Sequence, residues 1–127
     1  MRVFILEDDP VRHKIFKERY KNEELVIADG YWQAISTLAS SEPFDLFCLD
    51  HDLGLTGSSS SEGFNGFTRV DKNGNDFVDH FLSFSPKEKW PKNIVVHSWN
   101  PPGAKEMVKK LTEAGIKTVY EMFNHRP

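Results

Sequence analysis

Acidic side chains follow two apolar runs of this sequence, each at the point where the run ends. Glu7 and Asp8 follow the first run, and Asp50 and Asp52 follow a later one. Four carboxylates gathered in one place repel one another, and a divalent cation would offset that repulsion. Carboxylate oxygens suit Mg²⁺ best, with Mn²⁺ as the alternative. The pattern therefore predicts a divalent-metal site with these four residues as ligands.

Two histidines accompany these acids. His51 lies between Asp50 and Asp52, and His97 ends another apolar run and precedes Ser98. Imidazole is the side chain best suited to proton transfer near neutral pH. The other role open to the histidines is metal ligation, which would favour Mn²⁺, Fe²⁺ or Zn²⁺. The candidate catalytic residues are His51, His97, Ser98 and Asp50. In one version of the mechanism, Asp50 is a covalent nucleophile.

A possible anion site follows His97. Ser98 and Asn100 precede a helix that is predicted to begin at Pro101-Pro102. The N–H groups at a helix N-terminus bind phosphate, although two prolines remove two of those donors. Asn100 therefore has two interpretations, a phosphate ligand or a simple helix cap. Ser98 and Asn100 are our candidate substrate-binding residues.

Short apolar runs alternate with helical patterns along the chain. The runs predict strands at residues 3–6, 25–28, 44–49, 94–96 and 116–120. Helical spacing predicts helices that start at Pro10, after an Asp9 cap, and near residues 31, 73 and 101. Such alternation indicates a parallel sheet with helices on both faces. In the strand order 2-1-3-4-5, strands one, three and four are neighbours, so the acids and histidines would meet beyond their carboxyl ends.

The helical patterns also predict which side chains face the core. In the second helix we expect three inward side chains: Trp32, Ile35 and Leu38. In the third helix we expect one apolar side formed by Phe77, Phe81 and Phe84. His13, in the first helix, is expected at the surface.

The long polar stretch at residues 53–72 has no periodicity and contains four consecutive serines. We expect a flexible loop that covers the substrate, with Phe64 or Phe67 stacking on a base. The whole chain, residues 1–127, is expected to form one domain.

Composition narrows the possible functions. The net charge of −3 argues against non-specific DNA binding as the main task, and we expect no sequence-specific DNA binding either. The single cysteine, Cys48, excludes an internal disulfide and fits a reducing compartment. No apolar run approaches the roughly 18 residues of a membrane span, and the start of the chain does not read as a signal peptide. We expect a cytoplasmic protein without a membrane partner, and no feature predicts its oligomeric state.

Three features resemble the receiver domains of two-component response regulators: the pair Glu7-Asp8, Asp50 after the third strand, and Ser98 after the fourth. The resemblance implies a flavodoxin-like, receiver-like three-layer α/β sandwich. It also implies that the acids hold Mg²⁺, that Asp50 accepts a phosphoryl group and that Ser98 contacts it. Asp52 would add its backbone carbonyl to the metal.

Two departures separate this chain from ordinary receivers. The lysine that receivers carry after the fifth strand is absent from residues 119–124, and no final helix is expected before Pro127. The stretches Leu49-Asp50-His51-Asp52-Leu53-Gly54 and Val96-His97-Ser98-Trp99-Asn100-Pro101 are similar to two hallmark stretches of the cyclic-phosphate processing receiver domains. Asn73-Gly74 at the start of the third helix also fits that group.

The closer resemblance implies a hydrolase that processes cyclic phosphate ends of RNA or nucleotides. Its partners would be a phosphate-containing small molecule or an RNA end, and it would be a metal-dependent phosphoesterase. Two alternatives remain: a signalling receiver that is phosphorylated on Asp50, and a non-catalytic module that binds metal for stability.

Overall fold

The computed structural model describes residues 1–51, 72–98 and 101–121. Predictions that fall on Asp52, on Asn100 and on residues 53–71 of the polar loop concern positions outside these ranges. The expectation that no final helix follows the fifth strand concerns residues 122–127, which are also outside them.

Five parallel strands form one sheet in the order β2-β1-β3-β4-β5, which confirms the predicted topology. The strands are β1 (Arg2–Leu6), β2 (Glu24–Ala28), β3 (Leu46–Leu49), β4 (Asn93–His97) and β5 (Lys117–Glu121). The helices of the described ranges are α1 (Pro10–Arg19), α2 (Tyr31–Ser40), α3 (Gly74–Phe84) and α4 (Pro101–Glu113), with a 3₁₀ turn at Lys87–Lys89. None of these helices has the length and apolar character that a membrane crossing requires.

The central strands bury both of their faces, which explains why they read as continuous apolar runs. In β1, Phe4 and Leu6 lie in the core cluster that also contains residues of α2, α3 and α4. Val3 and Ile5 point to the other face, where Phe16 of α1 covers them. The sheet is thus the middle layer of a three-layer sandwich.

Side-chain caps fix where two helices start. The Asp9 carboxylate accepts a hydrogen bond from the Val11 N–H at 2.9 Å, as predicted for the α1 cap. Asn73 and Asp76 exchange side-chain and backbone hydrogen bonds at the start of α3. This reciprocal capping satisfies two N–H groups that the helix itself leaves unpaired. Both starts lie beside the carboxyl ends of the strands and hold the first turns in place there.

Two of the predicted inward positions are wrong. Trp32 is 69% exposed and Phe84 is 73% exposed. Trp32 packs edge-on against Tyr31, and Phe84 packs against His80, with ring centroids 4.7 Å apart in each pair. The sequence pattern missed this because each residue lies at one end of its helix, where the sheet no longer covers the helix face.

Candidate metal and phosphate site

The strand register brings three polar positions side by side. Leu6 of β1 pairs with Leu49 of β3, and Leu49 pairs with Val96 of β4. The next residue on each strand is polar: Glu7, Asp50 and His97. Parallel strands end at one edge of the sheet, so three segments that are distant in sequence converge there.

Three of the predicted metal ligands form a compact group at this edge. One carboxylate oxygen each from Glu7, Asp8 and Asp50 can be chosen so that all three lie within 4.8 Å of one another. Glu7 and Asp50 are at most 2% exposed, whereas Asp8 is partly exposed. Three oxygen donors at this spacing fit a hard divalent cation. The group therefore has the donor chemistry of a receiver-type metal site.

Glu7 is held by its neighbours on several sides. Its carboxylate accepts hydrogen bonds from His97 Nε2 at 2.8 Å and from the backbone N–H of Asp9 at 3.1 Å. The Arg12 guanidinium lies 3.5 Å from both of its oxygens. A buried carboxylate needs such donors, since they replace the water that it loses on folding. Glu7 is therefore a fixed member of the group.

Arg12 is a site residue that the sequence analysis missed. It comes from the first turn of α1, is almost fully buried, and places Nη1 3.9 Å from Asp50 Oδ2. The same guanidinium reaches Asp9 through Nε at 3.9 Å. One signal was present in the sequence: Arg12 lies four residues before Phe16, so the two share the buried face of α1.

His97 lies behind Glu7, away from solvent. It is 1% exposed, and its ring packs against Phe16 with centroids 4.9 Å apart. Burial lowers the pKa of His97 below its ordinary value, although the hydrogen bond to Glu7 acts in the opposite direction. A neutral imidazole beside a carboxylate carries its hydrogen on Nε2, so we assign His97 as the donor to Glu7. Its predicted role in proton transfer stays a prediction.

His51 is packed between the starts of two helices. Its carbonyl accepts a hydrogen bond from the Gly74 N–H at 2.7 Å. A Cβ at Gly103 of α4 would lie 2.5 Å from two atoms of the His51 ring, and a Cβ at Gly74 would collide with the Asp50 carbonyl. A side chain at position 74 would therefore collide with backbone, whereas one at position 103 would have to displace the His51 ring. The half-buried imidazole remains partly open to solvent beside Asp50.

The end of β4 is fixed by a residue of β5. Tyr120 donates its hydroxyl hydrogen to the Ser98 carbonyl at 3.0 Å, and Ser98 itself is fully buried. From the sequence, Tyr120 was predicted only as the end of the fifth strand, in a region that lacks the receiver lysine. Tyr120 holds the backbone of Ser98 in place. Ser98 is one of the two predicted substrate-binding residues, and Asn100 is the other.

His13 was expected at the surface, and the structure places it there only in part. Its side chain is only 18% exposed, and Nε2 lies 2.5 Å from the Glu7 carbonyl oxygen and 3.8 Å from Asp29. The loops after β1 and β2 are thereby connected. His13 thus helps to fix the backbone of the first acidic residue.

Three solved structures with this fold are distant from this chain in sequence. A CheY-like response regulator receiver protein from Methanospirillum hungatei JF-1 has 16% identity and a TM-score of 0.65, over 99% of this chain and 83% of that one. A CheY-like receiver domain from Methylobacillus flagellatus has 17% identity and a TM-score of 0.65, over 99% and 88%. The response regulator TrrA from Thermotoga maritima, solved with Mg(2+)-BeF, has 16% identity and a TM-score of 0.62, over 97% and 88%. At these identities the likeness establishes a CheY-like receiver fold.

The sequence comparisons are more specific. A search of curated proteins returned no match. The family model for the cyclic-phosphate processing receiver domain matches residues 1–113, which contain every strand end that contributes to the site. With its acids, histidines and both glycine contacts inside that match, the chain belongs to the cyclic-phosphate processing receiver domain family.

Proposed function

We propose that this chain is a metal-dependent phosphoesterase that hydrolyses cyclic phosphate ends of RNA or nucleotides. One observation carries the proposal: Glu7, Asp8 and Asp50 approach within 4.8 Å in a member of a cyclic-phosphate processing family. A phosphate ester needs its negative charge offset before water can attack it. An acid triad that holds a divalent cation would meet that need.

The oxygen donors favour Mg²⁺, with Mn²⁺ as the alternative, and Asp52 is proposed as a further ligand. The bound cation would neutralise phosphate charge and orient the attacking water. Opening a 2′,3′-cyclic phosphate forms a bond from phosphorus to the water oxygen and breaks the bond to one ribose oxygen. One proton must leave the water, and one must reach the ribose oxygen.

His51 is our candidate for moving these protons. It is partly exposed, next to Asp50, and its ring is confined by Gly103. Ser98 and Asn100 are proposed to bind the phosphate, while His97 is proposed to act through Glu7 as a positioning residue. The burial of His97 and its 2.8 Å contact with Glu7 support this division of roles.

The test is hydrolysis of a panel of 2′,3′-cyclic nucleotides and of an RNA ending in a cyclic phosphate, with and without Mg²⁺ or Mn²⁺. Turnover should need the metal and should fall by at least about 100-fold in Asp50→Asn and His51→Ala. Asp79→Asn and His80→Ala make the same chemical changes away from the triad and should keep full activity. Full activity of Asp50→Asn would refute the assignment.

A second candidate function is a signalling receiver that is phosphorylated on Asp50. The Mg(2+)-BeF complex of the similar regulator TrrA favours it, since Asp50 ends β3 within reach of two other acids. Exposure to a small phosphodonor and Mg²⁺ should then add the mass of one phosphoryl group to the wild type and not to Asp50→Asn. If metal binds but neither turnover nor phosphorylation occurs, a non-catalytic metal-binding module is the remaining alternative.

A further inference from the structure

We propose that the Arg12 side chain supplies a permanent positive charge to the acid triad. This charge restricts the site to one divalent ion, and once that ion has bound it helps to neutralise the phosphate. The proposal rests on the metal and phosphate site proposed above. It assigns a charge-balancing and phosphate-binding role to a residue that belongs to a helix and not to a strand end.

The contacts of Arg12 support this role. Nη1 lies 3.5 Å from both Glu7 oxygens and 3.9 Å from Asp50 Oδ2, and the side chain is 10% exposed. An uncompensated charge is costly at such burial, so the guanidinium and the two buried carboxylates depend on each other. Three carboxylates of the described residues face Arg12: Glu7, Asp9 and Asp50.

The charges of the triad and Arg12 give the expected number of metal ions, when Asp9 is left out as a partly exposed helix cap and Asp52 contributes only its backbone carbonyl. The three ionised carboxylates carry three negative charges, and Arg12 offsets one of them, which leaves two. One divalent ion neutralises the remainder, whereas a second would leave two positive charges in a buried site. Without Arg12, a site loaded with one ion would still be negative and would repel a phosphate.

The guanidinium is also suited to the phosphate itself. Its planar set of N–H donors matches the geometry of phosphate oxygens. When a divalent ion takes over the carboxylates, Arg12 loses part of their attraction. Its donors then become available to an anionic ligand at the same edge of the sheet.

Replacing Arg12 should therefore change metal affinity and anion affinity in opposite directions. In Arg12→Met, we expect Mn²⁺ to bind roughly tenfold more tightly, because a like charge near two of the ligands is gone. Inorganic phosphate should bind to the Mg²⁺-loaded variant roughly tenfold more weakly than to the Mg²⁺-loaded wild type. Free Mn²⁺ can be measured by electron paramagnetic resonance, and phosphate binding by ³¹P resonance.

Two further variants make the comparison specific. Arg19→Met removes the same side chain from the same helix, at a more exposed position paired with Glu121. Both of its affinities should stay within about twofold of wild type, which excludes a simple effect of net charge. Arg12→Lys keeps the charge but loses the planar fork, so Mn²⁺ affinity should be retained while phosphate affinity falls. This variant provides the test if Arg12→Met does not fold.

Opposite shifts in Arg12→Met, with one Mn²⁺ bound per wild-type chain at the triad, would support the inference. Equal-sign shifts, no shift, or two Mn²⁺ ions per triad would overturn it and leave Arg12 as a structural partner of Glu7. These binding measurements do not require turnover. If the two affinities shift in opposite directions but the protein shows no turnover, the role of Arg12 is supported and the phosphoesterase proposal is refuted. If turnover occurs but the two affinities shift in the same direction, the phosphoesterase proposal is supported and the role of Arg12 is refuted.

Discussion

Replacing Gly103 by alanine tests how the His51 ring is held. The added Cβ would lie 2.5 Å from Cδ2 and Nε2 of His51 and 2.8 Å from Cε1. Ordinary carbon contacts are about 3.5–4.0 Å, so the ring or the start of α4 must move by roughly 1 Å. The collision involves three atoms of one ring, so relieving it requires the whole ring to rotate about χ1 or χ2, or α4 to shift.

The expected magnitude follows from two opposing effects. Overpacking of this kind costs about 1–3 kcal/mol. An alanine in a helix otherwise gains roughly 0.5–1 kcal/mol over glycine. We therefore expect Gly103→Ala to lower the free energy of unfolding by about 1–2 kcal/mol. In a His51→Ala background the collision disappears, and the same substitution should become neutral or slightly stabilising.

The assay is urea unfolding of the wild type, both single variants and the double variant in metal-free buffer. The coupling free energy between the two positions should be about 2 kcal/mol, well above the usual additivity error. Gly30→Ala is the matched control, because a Cβ there meets nothing within 4 Å. Its effect should be the same with and without His51.

Additive effects of Gly103→Ala and His51→Ala would refute the reasoning. They would mean that the imidazole swings freely into solvent when Gly103 is filled, so that α4 does not confine it. The proposed role of His51 in proton transfer would then lose its structural support. A coupling as large for Gly30 as for Gly103 would point instead to a general effect of His51 on the fold.

Three other outcomes are expected. Gly74→Ala should destabilise the protein by about 3 kcal/mol or more in urea unfolding, since its Cβ would collide with the rigid backbone carbonyl of Asp50; a loss below about 1 kcal/mol would contradict this. Burial raises the pKa of Cys48 from 9.0 to about 12, so the folded state keeps a proton that the unfolded state loses above pH 9. The free energy of unfolding should therefore fall by about 1 kcal/mol as pH rises from 9 to 10, and Cys48→Ala should flatten the slope in this range. Above pH 10, Tyr20 adds a slope of the same sign, because burial raises its pKa from 10.0 to about 12. Mn²⁺ at 100 times the dissociation constant of the wild type should raise the free energy of unfolding of the wild type by about 2.7 kcal/mol. Asp8→Asn should reduce this gain and Asp79→Asn should not; equal gains in both would argue against the triad.

The order of the sheet and the position of the site were predictable from local sequence patterns. Buried parallel strands are apolar on both faces, so their ends are marked where polar residues begin. Glu7, Asp50 and His97 each follow or end such a run directly. Once the strand order is given, the convergence of these three positions follows from the geometry of the sheet.

The degree to which each of these side chains is buried could not be predicted from local sequence patterns. His97 and His51 both occupy strand ends, yet His97 is buried behind Glu7 and His51 is partly exposed. The difference arises because Phe16 of α1 covers His97, whereas α4 offers only a glycine to His51. Which helix covers which strand end depends on packing between elements that are far apart in the sequence.

The sequence by itself determined the receiver fold, the family and the acids that end the strands, because these depend on local periodicity and on short motifs. Only the tertiary structure revealed that Arg12 enters the acid triad, since an arginine on a helix is usually solvated, and its spacing from Phe16 does not show which residues it contacts. The same holds for the glycine contacts, because another segment of the chain occupies the space that a Cβ would fill. Charge balance and steric fit depend on the distances between residues that the fold brings together, and these distances cannot be read from the order of residues in the sequence.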